Sequence, residues 1–324
     1  MGEEIPKFRV VVIGGGTGLP VLIRGLKKFP FDITAIVTVA DDGGSSGRLR
    51  KDMDIPPPGD IRNVLAALSD VEPFIKEMFQ HRFKSENELS GHTLGNLILA
   101  AMTSITGNFV HAIQEMSKVL NVRGKVLPAA NQSVVLNALF EDGTIVSGES
   151  VIPKEQKKIK KVFLQPSDVK PLPESITAIR KADLIVFGPG SLYTSILPNL
   201  LVQKIGKEIC KSSAKKVFVC NLMTQEGETY NYKVSDHIEA LYSHVGCEFL
   251  DAILVNDTVI PDEIQAIYKM QNSRPVEIDK EELAKWKLKC ITGNFIFVND
   301  TKIRHDTIEI AKTLFNMLKE TVKK

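Results

Sequence analysis

Arg9-Val10-Val11-Val12-Ile13-Gly14-Gly15-Gly16-Thr17-Gly18-Leu19 is the stretch that decides the fold. Arg9 to Ile13 is a largely apolar run that ends in glycines. Leu19 to Lys28 then reads as a helix, so the chain opens strand, glycine loop, helix. Ile33 to Ala40 follows at once, rich in β-branched residues and apolar on both faces, as a parallel strand covered by helices requires. It stops at Asp41-Asp42-Gly43-Gly44-Ser45-Ser46-Gly47, and the three elements together make a βαβ unit.

Working outward, a proline run ending in Gly59-Asp60 breaks the chain after Ile55, and Asp60 is placed to N-cap a helix through Ile61, Leu65 and Leu68. Val71 to Phe83 and Thr93 to Leu120 show helical spacing, the latter interrupted at Gly107-Asn108. The middle changes character. Val134 to Phe140 and Thr144 to Glu149 flank Glu141-Asp142-Gly143, a hairpin signal, and the antiparallel character continues through Lys160 to Leu164 before the prolines of 166–173. The parallel pattern resumes with strands at Leu184 to Phe187, Val217 to Cys220 and Ala252 to Val255, and Asp306 to Lys319 closes as an amphipathic helix. The expected fold is α/β, a doubly wound, mostly parallel Rossmann-like sheet forming one domain over 1–324, with an antiparallel β-hairpin insertion at 125–170.

Composition narrows the function. The chain has 324 residues, a net charge of +2 and 6% aromatic residues. It therefore offers neither the field nor the stacking surface of a nucleic-acid binder. The four cysteines, at 210, 220, 247 and 290, form no CxxC pair and sit at no zinc-finger spacing with histidine, so reduced and mostly buried thiols are expected. The opening Met-Gly-Glu-Glu lacks the basic region of a leader, and no apolar run approaches the ~20 residues of a membrane span. A cytoplasmic protein is expected. Lys157 to Lys161, the one dense basic cluster, reads as a solvated face of the insertion.

In open parallel sheets ligands bind beyond the carboxyl ends of the strands, where strand order reverses. The residues after each strand are thus the candidates. Gly14, Gly15, Gly16, Thr17 and Gly18 let backbone N–H groups approach an anion at a helix start, which implies a phosphate; without a ligand they are a glycine-rich turn. The strict Rossmann spacing fails because position 19 is leucine, and no Walker lysine-serine pair is present. Gly188, Pro189, Gly190 and Ser191, followed by Thr194 and Ser195, offer a second set of donors, and two such loops suit a pyrophosphate. Asp41 and Asp42 sit where ribose or Mg²⁺ would be met, or form a tight turn. Arg48 and Arg62 can fork onto phosphate oxygens, with Asn63 beside the latter. His92, near Asn96, is a candidate general acid or phosphate donor, or a packing residue. Asn221 and Asn256 end strands, where an amide can read a base or sugar edge or merely close a turn. No G-x-S-x-G elbow and no HExxH appears, so serine hydrolase and metalloprotease readings fall away.

These residues carry a resemblance. The strings 14–20, Val37 to Arg50, Pro57-Pro58-Gly59-Asp60-Ile61-Arg62-Asn63, His92-Thr93-Leu94-Gly95-Asn96 and Gly188 to Asn199 closely resemble the YvcK-like proteins, also known as gluconeogenesis factors, over most of the chain. The wider CofD-like superfamily includes 2-phospho-L-lactate transferase, which moves a phospholactyl group from a guanosine diphosphate conjugate onto a deazaflavin with Mg²⁺. That resemblance implies a nucleotide-diphosphate site on the glycine loop, with Asp42 and Asp60 as metal-facing and, in an enzyme, catalytic acids. Gly43 to Arg50 looks like the YvcK branch rather than the transferase branch. The YvcK branch implies binding of a UDP-sugar such as UDP-N-acetylglucosamine and a role in cell shape and wall synthesis. It also implies a requirement on gluconeogenic carbon and, in some relatives, a C-terminal threonine phosphorylated by a Ser/Thr kinase, here Thr307.

Three readings follow. In a nucleotide-sugar sensor the pyrophosphate lies on the two glycine loops and Asn199, Asn221 and Asn256 read sugar or base edges. In a Mg²⁺-dependent transferase an acceptor hydroxyl attacks the β-phosphorus. In an NAD(P)-binding protein the glycine loop and the acid about 20 residues later mimic a Rossmann site. A homo-oligomer is compatible with each, and no sequence feature marks its interface.

Overall fold

The computed structural model describes residues 7–71, 73–84, 88–299 and 302–322. The opening residues on which the leader was judged lie outside them. β1 (Phe8–Gly14) runs into α1 (Gly18–Leu26) and then β2 (Phe31–Val37), the expected βαβ unit. There follow α2 (Gly44–Met53), α3 (Gly59–Leu68), α4 (Pro73–Gln80), α5 (Leu94–Thr106) and α6 (Phe109–Val119). After β3 (Lys125–Pro128) come the insertion strands β4 (Val135–Phe140), β5 (Ile145–Ser147) and β6 (Ile159–Gln165). The second half alternates α7 (Pro173–Lys181), β7 (Leu184–Phe187), α8 (Leu197–Leu201), α9 (Ile205–Lys211), β8 (Lys215–Val219), α10 (Val234–Val245) and β9 (Ala252–Asn256). It ends in α11 (Asp262–Lys269), α12 (Lys280–Leu283), β10 (Lys289–Gly293), the hairpin β11 (Ile296–Asn299) and β12 (Lys302–His305), and α13 (Thr307–Val322).

Seven strands pair in the order β10-β9-β8-β7-β1-β2-β3, and every pairing is parallel. Alternate residues of each strand feed opposite faces. Val11, Ile13, Ile36, Ile185 and Phe187 enter one core, whereas Val10, Val12, Ile33, Val37 and Val186 enter the other with Leu22 of α1, Ile61 of α3 and Leu314 of α13. Burial on both faces is why these strands read as continuous apolar runs.

β5, β4 and β6 form a separate antiparallel sheet whose Leu136, Ala138, Phe140 and Val162 join the first core. The insertion thus packs onto the main sheet. It begins later than the expected 125, because β3 pairs in parallel with β2, Thr34 opposite Lys125 and Val37 opposite Pro128. A four-residue strand ending in proline belongs at an edge, where a missing N–H leaves no partner unmatched. Lys160 and Lys161 of the basic cluster are exposed, and Lys157 pairs with Asp142 at 2.8 Å, as a solvated face should.

Other expectations are corrected. Pro58 rather than Asp60 occupies the N-cap of α3, so the Asp60 carboxylate is released from capping for use elsewhere. Cys210 and Cys247 are joined in a disulfide, not held as free thiols, because α9 and the end of α10 place them side by side across 37 residues of sequence. Cys220 is free and buried as expected, but Cys290 is exposed. β10, β11 and β12 lie beyond the expected strands: β10 and β12 are short and largely exposed, and the apolar residues of β11 face outward instead of being buried on both faces. Among the described residues no helix is long and apolar enough to cross a membrane.

Candidate functional site

Strand order reverses at β1, which has β7 on one side and β2 on the other. That makes the carboxyl ends of β1 and β7 the switch point of the sheet. A crevice of about 410 Å³ opens there, walled by Gly15 to Gly18 on one side and Pro189 to Ser191 on the other. The two loops touch. A Cβ at Gly18 would collide with the Pro189 carbonyl oxygen, and Gly16 holds φ +61°, so both need glycine. α1 begins at Gly18 with no side-chain cap, leaving its first N–H groups and the positive end of its dipole aimed at the crevice.

Several buried groups shape the loops. Asp60 accepts the Gly16 N–H at 2.8 Å. Burial, followed by the charge of Asp41, pushes its carboxyl up to about 7, against the pull of that N–H and of Arg62. Asn221 clamps the second loop in both directions: Gly190 N–H donates to its Oδ1 at 3.2 Å and its Nδ2 donates to Gly190 O at 2.9 Å. Gln225 Nε2 donates to Ser191 Oγ at 2.9 Å. Behind this loop the buried Glu228 accepts Tyr193 N–H at 3.1 Å and Thr194 Oγ–H at 2.8 Å.

Beside the crevice, carboxylates gather. Asp41 accepts Gly43 N–H and Asp42 accepts Ser150 N–H, each at 2.9 Å, the second tying the acid pair to the insertion. Glu149, next in chain to Ser150, is pushed up to about 8 by burial and then by Asp41, Asp60, Glu228 and Asp42. Five acids from four segments thus lie near one another, and Glu149 feels the charge of the other four. Such a set suits a hard cation, yet among the described residues no three His, Cys, Asp or Glu side chains are close enough to hold one. Mg²⁺ fits only where one or two of these carboxylates are completed by phosphate oxygens and water.

Of the residues singled out from sequence, the structure brings together on the crevice Gly15, Gly16, Thr17, Gly18, Pro189, Gly190, Ser191 and Asn221. Asp60 stands behind them. Asn199 is fully buried and its Nδ2 donates to Gly14 O and Ser195 O, so it buttresses the loops. Asn256 closes the turn after β9, donating to Thr258 O and accepting Phe295 N–H. Ser45, His92 and Asn96 form a buried chain of 3.0 Å hydrogen bonds between α2 and α5, off the crevice. Arg48 donates to the carbonyls of Glu88 and Ser90, and Arg62 to Asn63. Thr194 serves Glu228.

Sequence reasoning missed the roof of the crevice, formed by Gln225, Tyr268 of α11 and Arg304 and His305 of β12. These lie far along the chain with no motif. His305 Nε2 donates to Cys220 O at 3.0 Å, which fixes the hairpin over the end of β8.

Comparison with known proteins gives the family. The family model described as 2-phospho-L-lactate transferase CofD matches residues 10–296. This chain belongs to the CofD family. Within it, the chain is similar to proteins named Gluconeogenesis factor. The Bacillus subtilis protein is 63% identical over 314 residues, covering 97% of this chain and 99% of that one. The Listeria innocua protein is 49% identical, covering 96% of each. A crystal structure of a UPF0052-family protein from Bacillus halodurans superposes with a TM-score of 0.93 at 58% identity, covering 95% of this chain and 99% of that chain. Both glycine loops fall within the matched span.

Proposed function

We propose that this CofD-family chain is a cytoplasmic gluconeogenesis factor that senses a nucleotide sugar, with a UDP-sugar such as UDP-N-acetylglucosamine as ligand. The observation that supports it best is the pair of glycine loops in contact across the switch point, beside an uncapped helix start. A pyrophosphate there meets the uncapped start of α1 on one side and the Pro189–Ser191 loop on the other, while Asp60 and Asn221 hold the Gly16 and Gly190 N–H groups and so fix the shape of the two loops. Arg304 and Tyr268 on the roof supply a cation and a ring for the phosphates and base. Mg²⁺ bound by Asp42 or Asp60 with phosphate oxygens would offset the charge between the nucleotide and the acid cluster. The partners of such a sensor are wall-synthesis proteins and a Ser/Thr kinase acting on Thr307, the first residue of α13, which packs against Gly25 of α1.

The acid cluster favours a second reading, a Mg²⁺-dependent transferase of the CofD type. In it Asp42 and Asp60 serve the reaction, and Glu149, protonated near neutral pH, is suited to exchange a proton with an acceptor hydroxyl. The experiment is calorimetry with UDP-N-acetylglucosamine, UDP-glucose, GDP and NAD, each with and without Mg²⁺, followed by NMR of the mixture. Intact UDP-sugar bound by the wild type and bound at least tenfold more weakly by Arg304→Ala supports the sensor. Binding of guanosine or nicotinamide nucleotides alone, or consumption of the donor, refutes it.

A further inference from the structure

We propose that Arg62 and the start of α5 form a second, buried oxyanion site, on the flank of α3 opposite the glycine loop, that takes a phosphate ion. Asp60 and Arg62 lie two residues apart on α3, so with 3.6 residues per turn they point to opposite sides of the helix. Asp60 grips Gly16, and Arg62 reaches the other way.

The Arg62 side chain is held in a prepared place. Only 7% of the residue is exposed, and a Cβ at Gly95 would come 2.9 Å from Arg62 Cδ, so the first turn of α5 is cut back to admit it. Nη2 donates to Asn63 Oδ1 at 2.7 Å, but Nε and Nη1 are buried without a partner among the described residues. No carboxylate there forms an ion pair with it, Asp60 and Asp41 being engaged by the N–H groups of Gly16 and Gly43.

Three further features point the same way. The N-cap residue of α5, Thr93, makes no side-chain cap bond; the residue is 1% exposed and its hydroxyl is unpartnered among the described residues. The N–H of Leu94, the first residue of the 13-residue helix, donates to His81 O at 2.8 Å, but the helix has no side-chain cap and keeps the positive end of its dipole beside the Arg62 side chain. Arg82, whose guanidinium donates to Gly91 O, adds like charge beside Arg62. A buried guanidinium with two unpartnered nitrogens, a second cation nearby and a helix start with an unpartnered threonine hydroxyl favour negative charge, which water does not supply. A phosphate has oxygens enough to accept from Arg62 and from Thr93 together.

The test uses inorganic phosphate on the full chain, by calorimetry, with Arg62→Gln and Arg62→Lys variants, and repeats the titration at saturating UDP. Phosphate binding at least tenfold weaker in Arg62→Gln, partly restored in Arg62→Lys and unaffected by UDP is expected. Wild-type crystals soaked in tungstate place the anion directly and do not depend on how the variants fold. Tungstate next to Arg62 supports the site; tungstate only on Gly14 to Gly18, phosphate displaced by UDP, or equal affinity in a folded Arg62→Gln overturns it. Failure of UDP to bind refutes the nucleotide reading alone and leaves the Arg62 result to be judged by itself.

Discussion

Replacing Gly18 by alanine tests whether the two loops are joined as a single anion cradle. The new methyl would strike the Pro189 carbonyl oxygen and stand 2.8 Å from its carbon and 3.2 Å from Gly190 Cα, where ordinary contact begins at 3.4 Å. All three atoms are backbone, so no side chain can swing aside. The Pro189 oxygen sets the requirement: the loops must part by about 1 Å, in a core whose packing resists it, and overpacking of this kind costs about 1–3 kcal/mol. Gly14 is the matched control, because a methyl there meets only the Leu19 side chain at 3.7–3.8 Å, an ordinary contact. Thermal unfolding of Gly18→Ala should fall by several degrees, at about 2–4 °C per kcal/mol for a chain somewhat shorter than this one. Calorimetry should show UDP affinity reduced at least tenfold, since displaced N–H groups no longer converge on one anion. Gly14→Ala should melt and bind nearly as the wild type does. Equal melting and binding in Gly18→Ala, or equal damage in both variants, would refute the reasoning.

Asn221→Ala removes both bonds to Gly190 and should cost about 1–2 kcal/mol with weakened UDP binding; unchanged binding would mean the second loop holds itself. Glu149→Gln has a sign fixed by its raised pKa. The folded state binds this proton more tightly than the unfolded one, so ionisation opposes folding as pH rises from the ordinary carboxyl range through about 8. The variant should then be more stable than wild type at pH 8, by about 1–3 kcal/mol, and nearly equal to it at about pH 4, below the unfolded carboxyl pKa, as read by urea melts. His305 runs the other way: burial lowers it to about 4, so its stabilisation is complete above its unfolded pKa of about 6.5 and is lost as pH falls toward 4. His305→Gln should remove up to about 3 kcal/mol of that acid sensitivity. Reduction of Cys210–Cys247 should lower the melting temperature without altering UDP affinity, because neither residue lines the crevice.

The amino-acid sequence by itself determined the doubly wound architecture, because a parallel strand buried on both faces must be apolar along its whole length and must be followed by a turn and a helix. It also marked the two glycine loops, whose composition follows from backbone approach rather than from distant partners. What lay beyond it were properties that neighbours confer. Asp60 reads as a cap from its local sequence, but α3 begins at Gly59 with Pro58 at its N-cap, and the Asp60 carboxylate goes to Gly16 instead. Asn199 and Asn256 looked like ligand readers, and the fold gives their amides to backbone groups instead. Cys210 and Cys247 carry no spacing signal, and only the docking of α9 beside α10 joins them. Glu149, Tyr268, Arg304 and His305 belong to the site through crossings of the chain over hundreds of residues. Periodicity and turn chemistry act over a few residues and are written locally. A carboxyl raised by burial and by four other acids, or an arginine roofing a crevice, exists only when the tertiary structure has brought remote segments to one place.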